Sequence, residues 1–569
     1  MNRMKKVALF AGIFGLATSS LLAQTSSQGA VQDQEFVIRK DRVLGLPTQI
    51  RPFEKLPVLP QPKGFEPFTY TVTPFFLPLP ALVKKVEPLL KEDQPPKIVA
   101  YPGLVTLGYG NFVSPLAEVR YGSTNSEKWH YASRFFHQSF GKGPVTWMGE
   151  EVSKESHTVL GGQGSYFLPS VELYSSLGLT RNSYSFYGED LGFVIPPNVD
   201  FIGRVFDQNT QIQGNIELGI RDLEKIGRIS YEASLALVGF KDSFAAREQE
   251  LGVEGKGTYS ASKDVSSTVA LAYFTTNTQD RKYDLNRNYL SLRPEGKYTW
   301  GDFNVTAGFV LVSENDSIEN SKPGIRLFPV IKSTYQISDN ITVNAALTGD
   351  VQRNTYRSFV QENPFLGPSE QLLNTVTNLS FVAGIEGIVS GKLVYRANID
   401  LRRQSNLHFF VNSYADTSRF ELVYDKEATV FQFNSSVELS LTEKYTLGTQ
   451  FDFFKYTLSN QQEAWHRPNW ILQMNQRYAP FKKLSLQSNL QVMGGLQARG
   501  LGAIDTNPVK KEVVKLPAVV DLQFKADYAI SSRLSIFAEG NNLLNKRNIR
   551  WMNYPVRGIQ GLGGLSFKF

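Results

Sequence analysis

The chain has no cysteine in 569 residues. That excludes disulfides, thiol catalysis, zinc–thiolate centres and a lipid anchor on a leader cysteine. Histidine is scarce: His130, His137, His157, His408 and His466 are scattered along the sequence. His130 and His137 are seven apart, so on one strand they face opposite walls. Ser156 and His157 are adjacent and point apart. No HExxH-type spacing occurs. No catalytic residue, metal ligand or cofactor site is assigned, and the chain reads as a non-enzyme. Long apolar runs are also missing. Mean hydropathy is −0.23, and the apolar stretch Val7–Leu16 is too short to cross a bilayer. No bundle of membrane helices is encoded. Nor is there a strong charge excess. The formal charge of +7 falls to +4 when Arg3, Lys5 and Lys6 of the first 24 residues are set aside. No basic run with interleaved aromatics appears, so nucleic acid is not an expected partner.

What is present begins with a leader. Met1–Lys6 is basic, Val7–Leu16 is apolar, and small residues follow up to a cut near Ala23-Gln24. This is the pattern of an export signal over residues 1–23. Residues 24–102 have a different character. Thirteen of the 28 prolines lie between Pro47 and Pro102. They forbid a regular helix or a central strand and favour an extended, polyproline-like segment. Phe65, Phe68, Tyr70, Phe75, Phe76 and Leu77 make it too apolar for a plain solvated linker. The segment is expected either to fold into the mouth of the domain that follows or to meet a partner in the periplasm.

From Gly103 to Phe569 the grammar is period two. Phe431, Phe433, Val437, Leu439 and Leu441 fall on one face, and Gln432, Asn434, Ser436, Glu438 and Ser440 on the other. Tyr445, Leu447, Phe451 and Phe453 repeat this against Thr446, Gln450 and Asp452. Leu484, Leu486, Leu490 and Val492 oppose Ser485, Gln487, Asn489 and Gln491. Leu522, Phe524, Ala526, Tyr528 and Ile530 oppose Asp521, Gln523, Lys525 and Asp527. Each such strand has one greasy and one wet wall. A soluble sandwich shows the same alternation. The connections separate the two.

Tight polar turns recur at Asp222–Ile226, Ser260–Asp264, Trp300–Asp302, Ile337–Asn340, Val389–Lys392, Leu441–Lys444, Pro480–Lys483 and Ile530–Arg533. Between them lie longer stretches: Gly188–Phe206, Thr278–Asn288, Glu314–Lys322, Tyr356–Asn374, Ser459–Pro468, Arg499–Val513 and Leu544–Arg557. One rim is trimmed and the other elaborated, as in outer-membrane barrels. The 467 residues from Gly103 onward, at roughly 44 per hairpin, give about 22 strands, an even number as single-chain barrels have. The expected fold is therefore all-β: a transmembrane antiparallel barrel of about 22 strands over 103–569, preceded by the proline-rich extended segment. Arg396, Asp400, Arg402, Asp452, Lys525 and Asp527 are expected to solvate its inner wall. Trp465, Trp470, Trp551 and Tyr554 are expected at an interfacial girdle or in a loop core.

The C-terminus carries a resemblance. Asn541-Asn-Leu-Leu-Asn-Lys546, Tyr554-Pro555, Arg557-Gly558 and the closing Gly563-Gly-Leu-Ser-Phe-Lys-Phe569 resemble the last hairpin of TonB-dependent receptors. The opening Leu107-Gly-Tyr-Gly-Asn-Phe112 with Ser114-Pro115 is similar to the barrel start of receptor-like proteins of the Bacteroidetes type. The resemblance implies a 22-stranded, porin-like transporter in the outer membrane. It also implies a terminal strand read by the barrel-assembly machinery. Gly564, Phe567 and Phe569 match that signal, while Leu562 stands where a polar residue is usual. Glu35, Phe36, Val37 and Ile38 resemble a TonB box and are a candidate contact for TonB or another envelope protein. One departure matters: fewer than eighty residues lie between leader and barrel, too few for the family's plug domain, and their pattern is not that of a plug.

The expectation is an exported outer-membrane barrel that passes a substrate across that membrane, with lipid around it. The alternative is a non-transporting structural or assembly subunit that docks partners through the N-terminal arm and the loops.

Overall fold

Every second residue of the strands points the same way, so one apolar set faces out and one polar set faces in. The computed structural model describes residues 101–569 apart from 125–126, 148–149, 189–207, 224–226, 316–323, 369, 414–415 and 502–510. Twenty-two antiparallel strands form one sheet that closes on itself. The first seven are β1 (Gly103–Gly110), β2 (Ser114–Gly122), β3 (Trp129–Phe140), β4 (Glu155–Phe167), β5 (Val171–Ser185), β6 (Gln208–Asp222) and β7 (Ile229–Lys241). Then come β8 (Arg247–Ser260), β9 (Val265–Gln279), β10 (Asp284–Trp300), β11 (Phe303–Glu314), β12 (Gly324–Ser338), β13 (Ile341–Gln352) and β14 (Thr375–Val389). The last are β15 (Leu393–Asn412), β16 (Phe420–Thr442), β17 (Tyr445–Leu458), β18 (Trp470–Phe481), β19 (Leu484–Gly494), β20 (Val519–Ala529), β21 (Leu534–Asn541) and β22 (Gln560–Lys568).

The ring closes where β22 pairs with β1, from Leu104↔Lys568 to Gly110↔Leu562. Gly103 and Phe569 exchange backbone hydrogen bonds of 3.0 and 3.1 Å at its foot. Closure removes the unpaired edge that lipid would not tolerate. Outside, Leu107, Leu177, Leu218, Leu237, Leu271, Leu327, Leu401 and Leu565 stand exposed in an apolar band. At the short-turn rim the band ends in exposed aromatics: Tyr121, Trp129, Tyr231, Tyr259, Tyr298, Trp300, Phe481, Tyr528 and Phe569. Amphipathic rings of this kind sit at the level of lipid headgroups. Inside, charges neutralise one another. Arg120 and Arg134 both reach Glu118 at 2.7 Å, Lys332 reaches Glu295 at 3.1 Å, and Arg402 reaches Asp400 at 3.2 Å. Gln432, Asn434 and Gln450 all donate to Asp452.

All eight tight turns expected from sequence connect strands at one rim. The long connections gather at the other. Two details differ. Thr278–Asn288 is not a loop: β9 runs to Gln279, β10 starts at Asp284, and Asn277 pairs with Asn286. Threonines at 275, 276 and 278 blur the alternation in sequence, but their branched Cβ favours a strand. The β1–β2 connection, residues 111–113, is short although it sits at the long-loop rim. Most of the expected loops Gly188–Phe206 and Glu314–Lys322 and much of Arg499–Val513 lie outside the described residues, as do the leader, the proline-rich segment and Glu35–Ile38.

Candidate functional site

A folded lid crosses the long-loop mouth. Its centre is the connection between β13 and β14, which holds a short helix, α1 (Tyr356–Glu362). Thr355 caps it: its hydroxyl accepts from the Ser358 N–H at 3.1 Å, and the Ser358 hydroxyl accepts from the Thr355 N–H at 2.9 Å. This reciprocal box lets seven residues hold about two helical turns that would not persist alone. The loop's two feet are clamped together. Asn354 donates from its side chain to the Leu373 carbonyl, and Arg287 bonds both the Asn354 carbonyl and Asn374 Oδ1 at 2.6 Å.

From these feet the loop crosses the opening. β8, β15 and β22 stand seven or eight strands apart in the ring of 22, about a third of the circumference each. The lid touches all three arcs. On the β7–β8 side the Tyr356 hydroxyl donates to Asp242 and its N–H to Glu248, both at 2.9 Å. On the β15–β16 side His408 Nε2 lies 2.8 Å from Glu362, and residues 365–367 bond the backbone of Phe420. Near β22 the small ribbon Ile549–Trp551 and Tyr554–Pro555 brings Tyr554 into a 3.5 Å stack on Phe365. Tyr356, Phe359, Val360, Leu366, Phe410, Phe420, Trp551 and Tyr554 form one buried core with Phe240 of β7. A chain of packed side chains joining three separated arcs of a ring must pass over the lumen.

The tall hairpin β15–β16 supplies a second layer. Up to Gln404 β15 alternates, but residues 407–412 are buried without a break. Asn406, at φ 57°, bends the strand in a conformation that Asn tolerates better than most residues. Beyond the bend, His408 and Phe410 meet α1, while Leu407, Phe409 and Val411 pack on Trp465. Trp465, Trp551 and Tyr554 are thus loop core, not girdle.

The lid buries charge as well. Burial alone would raise the Glu362 carboxyl, but His408, Arg467 and Arg550 outweigh it and hold it at about 2. Burial pushes His466 down to about 3 and Arg550 to about 10. His466 is therefore neutral: Nδ1 donates to the Phe410 carbonyl at 2.9 Å, and Nε2 accepts from the Met552 N–H at 3.2 Å. For Glu370 the Leu422 N–H and the Lys282 charge do not outweigh burial. Burial lifts it to about 8, against one N–H from Leu422 at 2.8 Å.

The sequence-expected residues sit elsewhere. Gly564 and Phe567 lie on the seam strand β22, and Phe569 follows its end. Phe567 and Phe569 point outward, half exposed. A Cβ on Gly564 would meet the Leu107 carbonyl at 2.2 Å, so only glycine fits there. His130, His137 and His157 are wall residues apart from the lid; His137 meets Thr158 and His157 meets Asn182. The lid residues His408 and His466 were not singled out from sequence. The unbroken run Leu407-His-Phe-Phe-Val411 was the readable signal, because a half-exposed strand alternates.

The sequence matches no protein-family model and no curated protein. Among solved structures it is similar to the FrpB iron transporter of Neisseria meningitidis, at 9% identity and a TM-score of 0.63, over 82% of this chain and 81% of that one. The ferric-catecholate import receptor Fiu of Escherichia coli K12 matches at 10% and 0.59, over 83% and 82%. The siderophore receptor PirA of Pseudomonas aeruginosa matches at 13% and 0.56, over 82% and 80%. At these identities the likeness shows the fold alone: this chain shares the fold of these receptors and transporters.

Proposed function

We propose that this chain is an outer-membrane barrel related to TonB-dependent receptors that passes a substrate across the membrane through its lumen, and that its outer mouth is shut at rest by the lid. The observation that carries this is the ring itself: 22 strands, apolar outside with an aromatic rim, polar inside. A ring of that size encloses a lumen wide enough for a solute. The fold neighbours are named as transporters and receptors, not enzymes, which favours passage over catalysis. On this reading residues 1–23 direct export, and residues 24–102 are a proline-rich periplasmic or lumenal segment. Gly564, Phe567 and Phe569 are read by the barrel-assembly machinery, and Glu35–Ile38 contact TonB or another envelope protein. The origin of the chain in a Bacteroidetes-type lineage belongs to the same proposal.

Planar-bilayer conductance tests it. The full chain should be silent. Replacing residues 356–371 by a short Gly-Ser bridge, together with removal of 24–102, should give open-channel currents. Silence of that folded double variant would sink the passage reading.

The lid favours a second reading too. Its core is apolar and cross-braced, as suits a fixed scaffold. A structural or assembly subunit would be recovered from membranes in stoichiometric complex with envelope proteins; a barrel captured alone counts against it.

A further inference from the structure

One contact of the lid has the form of a ligand in a pocket. Arg353, at the foot of the lid, lays its guanidinium on the Phe274 ring, 3.4 Å from the centroid, with the Tyr289 ring 5.7 Å away. The same guanidinium donates to Glu250 at 2.8 Å. Arg357 of α1 reaches the other oxygen of Glu250 at 3.1 Å and Glu248 at 3.7 Å. Phe274, Tyr289, Glu248 and Glu250 belong to the wall: β8, β9 and β10. Both carboxylates are buried and are oriented by that wall, Glu250 by the Thr276 hydroxyl at 2.9 Å and Glu248 by the Thr278 hydroxyl at 3.1 Å. Glu248 Oε1 is buried and accepts no hydrogen bond. The wall thus carries a prepared cation socket, two carboxylates beside an aromatic face, whose occupants belong to the lid loop.

We infer that this socket on β8–β10 is a binding site for a guanidinium-bearing substrate group, and that Arg353 and Arg357 hold it in the closed state as a built-in substitute for that group. The inference rests on the passage reading for the lid's mobility. When the lid lifts, it withdraws two positive charges and leaves Glu248 and Glu250 uncompensated. A second guanidinium offers the same planar donors and the same stacking on Phe274, whereas an ammonium lacks the fork. A cationic ligand therefore competes with the lid for one site, and binding and opening are linked.

The test is calorimetric titration of the purified full-length protein in micelles with tri-arginine amide at fixed ionic strength. Tri-citrulline amide is the neutral isostere. The Arg353→Ala/Arg357→Ala variant should bind tri-arginine amide at least tenfold more tightly than the unaltered chain. Tri-citrulline should show no gain, and adding Glu250→Gln should abolish it. No gain in a variant that keeps the heat-modifiable gel migration of a folded barrel overturns the inference, as does an equal gain for tri-citrulline. Should that variant fail to fold, Val360→Cys replaces it, since the chain has no cysteine of its own and Val360 is buried in the lid. Tri-arginine amide should raise its maleimide labelling rate several-fold and tri-citrulline should not; an unchanged rate overturns the inference. Neither readout needs a solute to cross a membrane, so a failure of passage and a failure of the socket are told apart.

Discussion

Two carboxylates of the lid titrate in opposite senses. Glu362 lies at about 2 in the folded chain, below its ordinary 4.5. Its contribution is present above about pH 4.5 and lost as pH falls toward 2. With 28% of the side chain exposed, that amounts to about 1–2 kcal/mol. Glu370 lies at about 8, above 4.5. Its neutral form fits the fold, so stability present below about pH 4.5 drains away as pH rises to 8, on the order of 2–3 kcal/mol. Hydrogen-exchange protection of α1 should therefore peak in mild acid. Glu370→Gln should flatten the alkaline limb and Glu362→Gln the acid limb; limbs unchanged in both variants would refute the assignment. At the seam, Gly564→Val must push against the Leu107 carbonyl and the Phe537 ring. A loss of about 1–3 kcal/mol is expected, read as a lower temperature of heat-modifiable unfolding. Gly564 was visible in the sequence as part of a terminal signal. Its packing against Phe537 was not, because that contact depends on the register between β21 and β22.

At the scale of elements, the lid should loosen without the barrel. Phe359 of α1 is buried among Phe410 and His408. Phe359→Ala removes a large apolar side chain from a buried core and should cost the lid about 3–5 kcal/mol. Exchange should then rise in 354–373 and 407–425 while the strands facing lipid keep their protection; a uniform rise would mean that lid and barrel unfold as one. The expected loop Tyr356–Asn374 lies within the observed connection 353–374 and ends with it, but its inward path was not legible. Thr355-Tyr-Arg-Ser358 carries the cap for α1, yet the partners that bury it come from positions 240, 410, 420 and 551. Such separations leave no period for a single sequence to display.

At the scale of the whole molecule, the two faces of the wall make a paired prediction. Leu271 of β9 faces outward in the apolar band, and Ala270 beside it faces in. Leu271→Arg should cost about 2–4 kcal/mol in bilayer folding titrations. Ala270→Arg should cost much less, because that face is already polar. Equal costs would contradict the assignment of inside and outside.

Alternation and turn spacing by themselves determined the barrel, its strand number and its two rims. These are local properties: side chains alternate along any strand, and tight turns carry their own chemistry. Residues such as Phe431 and Gln432 announce their faces without knowing their neighbours. What happens at the mouth was decided only in three dimensions. Arg353 stacks on Phe274 and Tyr554 on Phe365 because closing the ring brings its distant arcs around one opening. A one-dimensional pattern records which way a side chain points, and only closure determines what stands opposite.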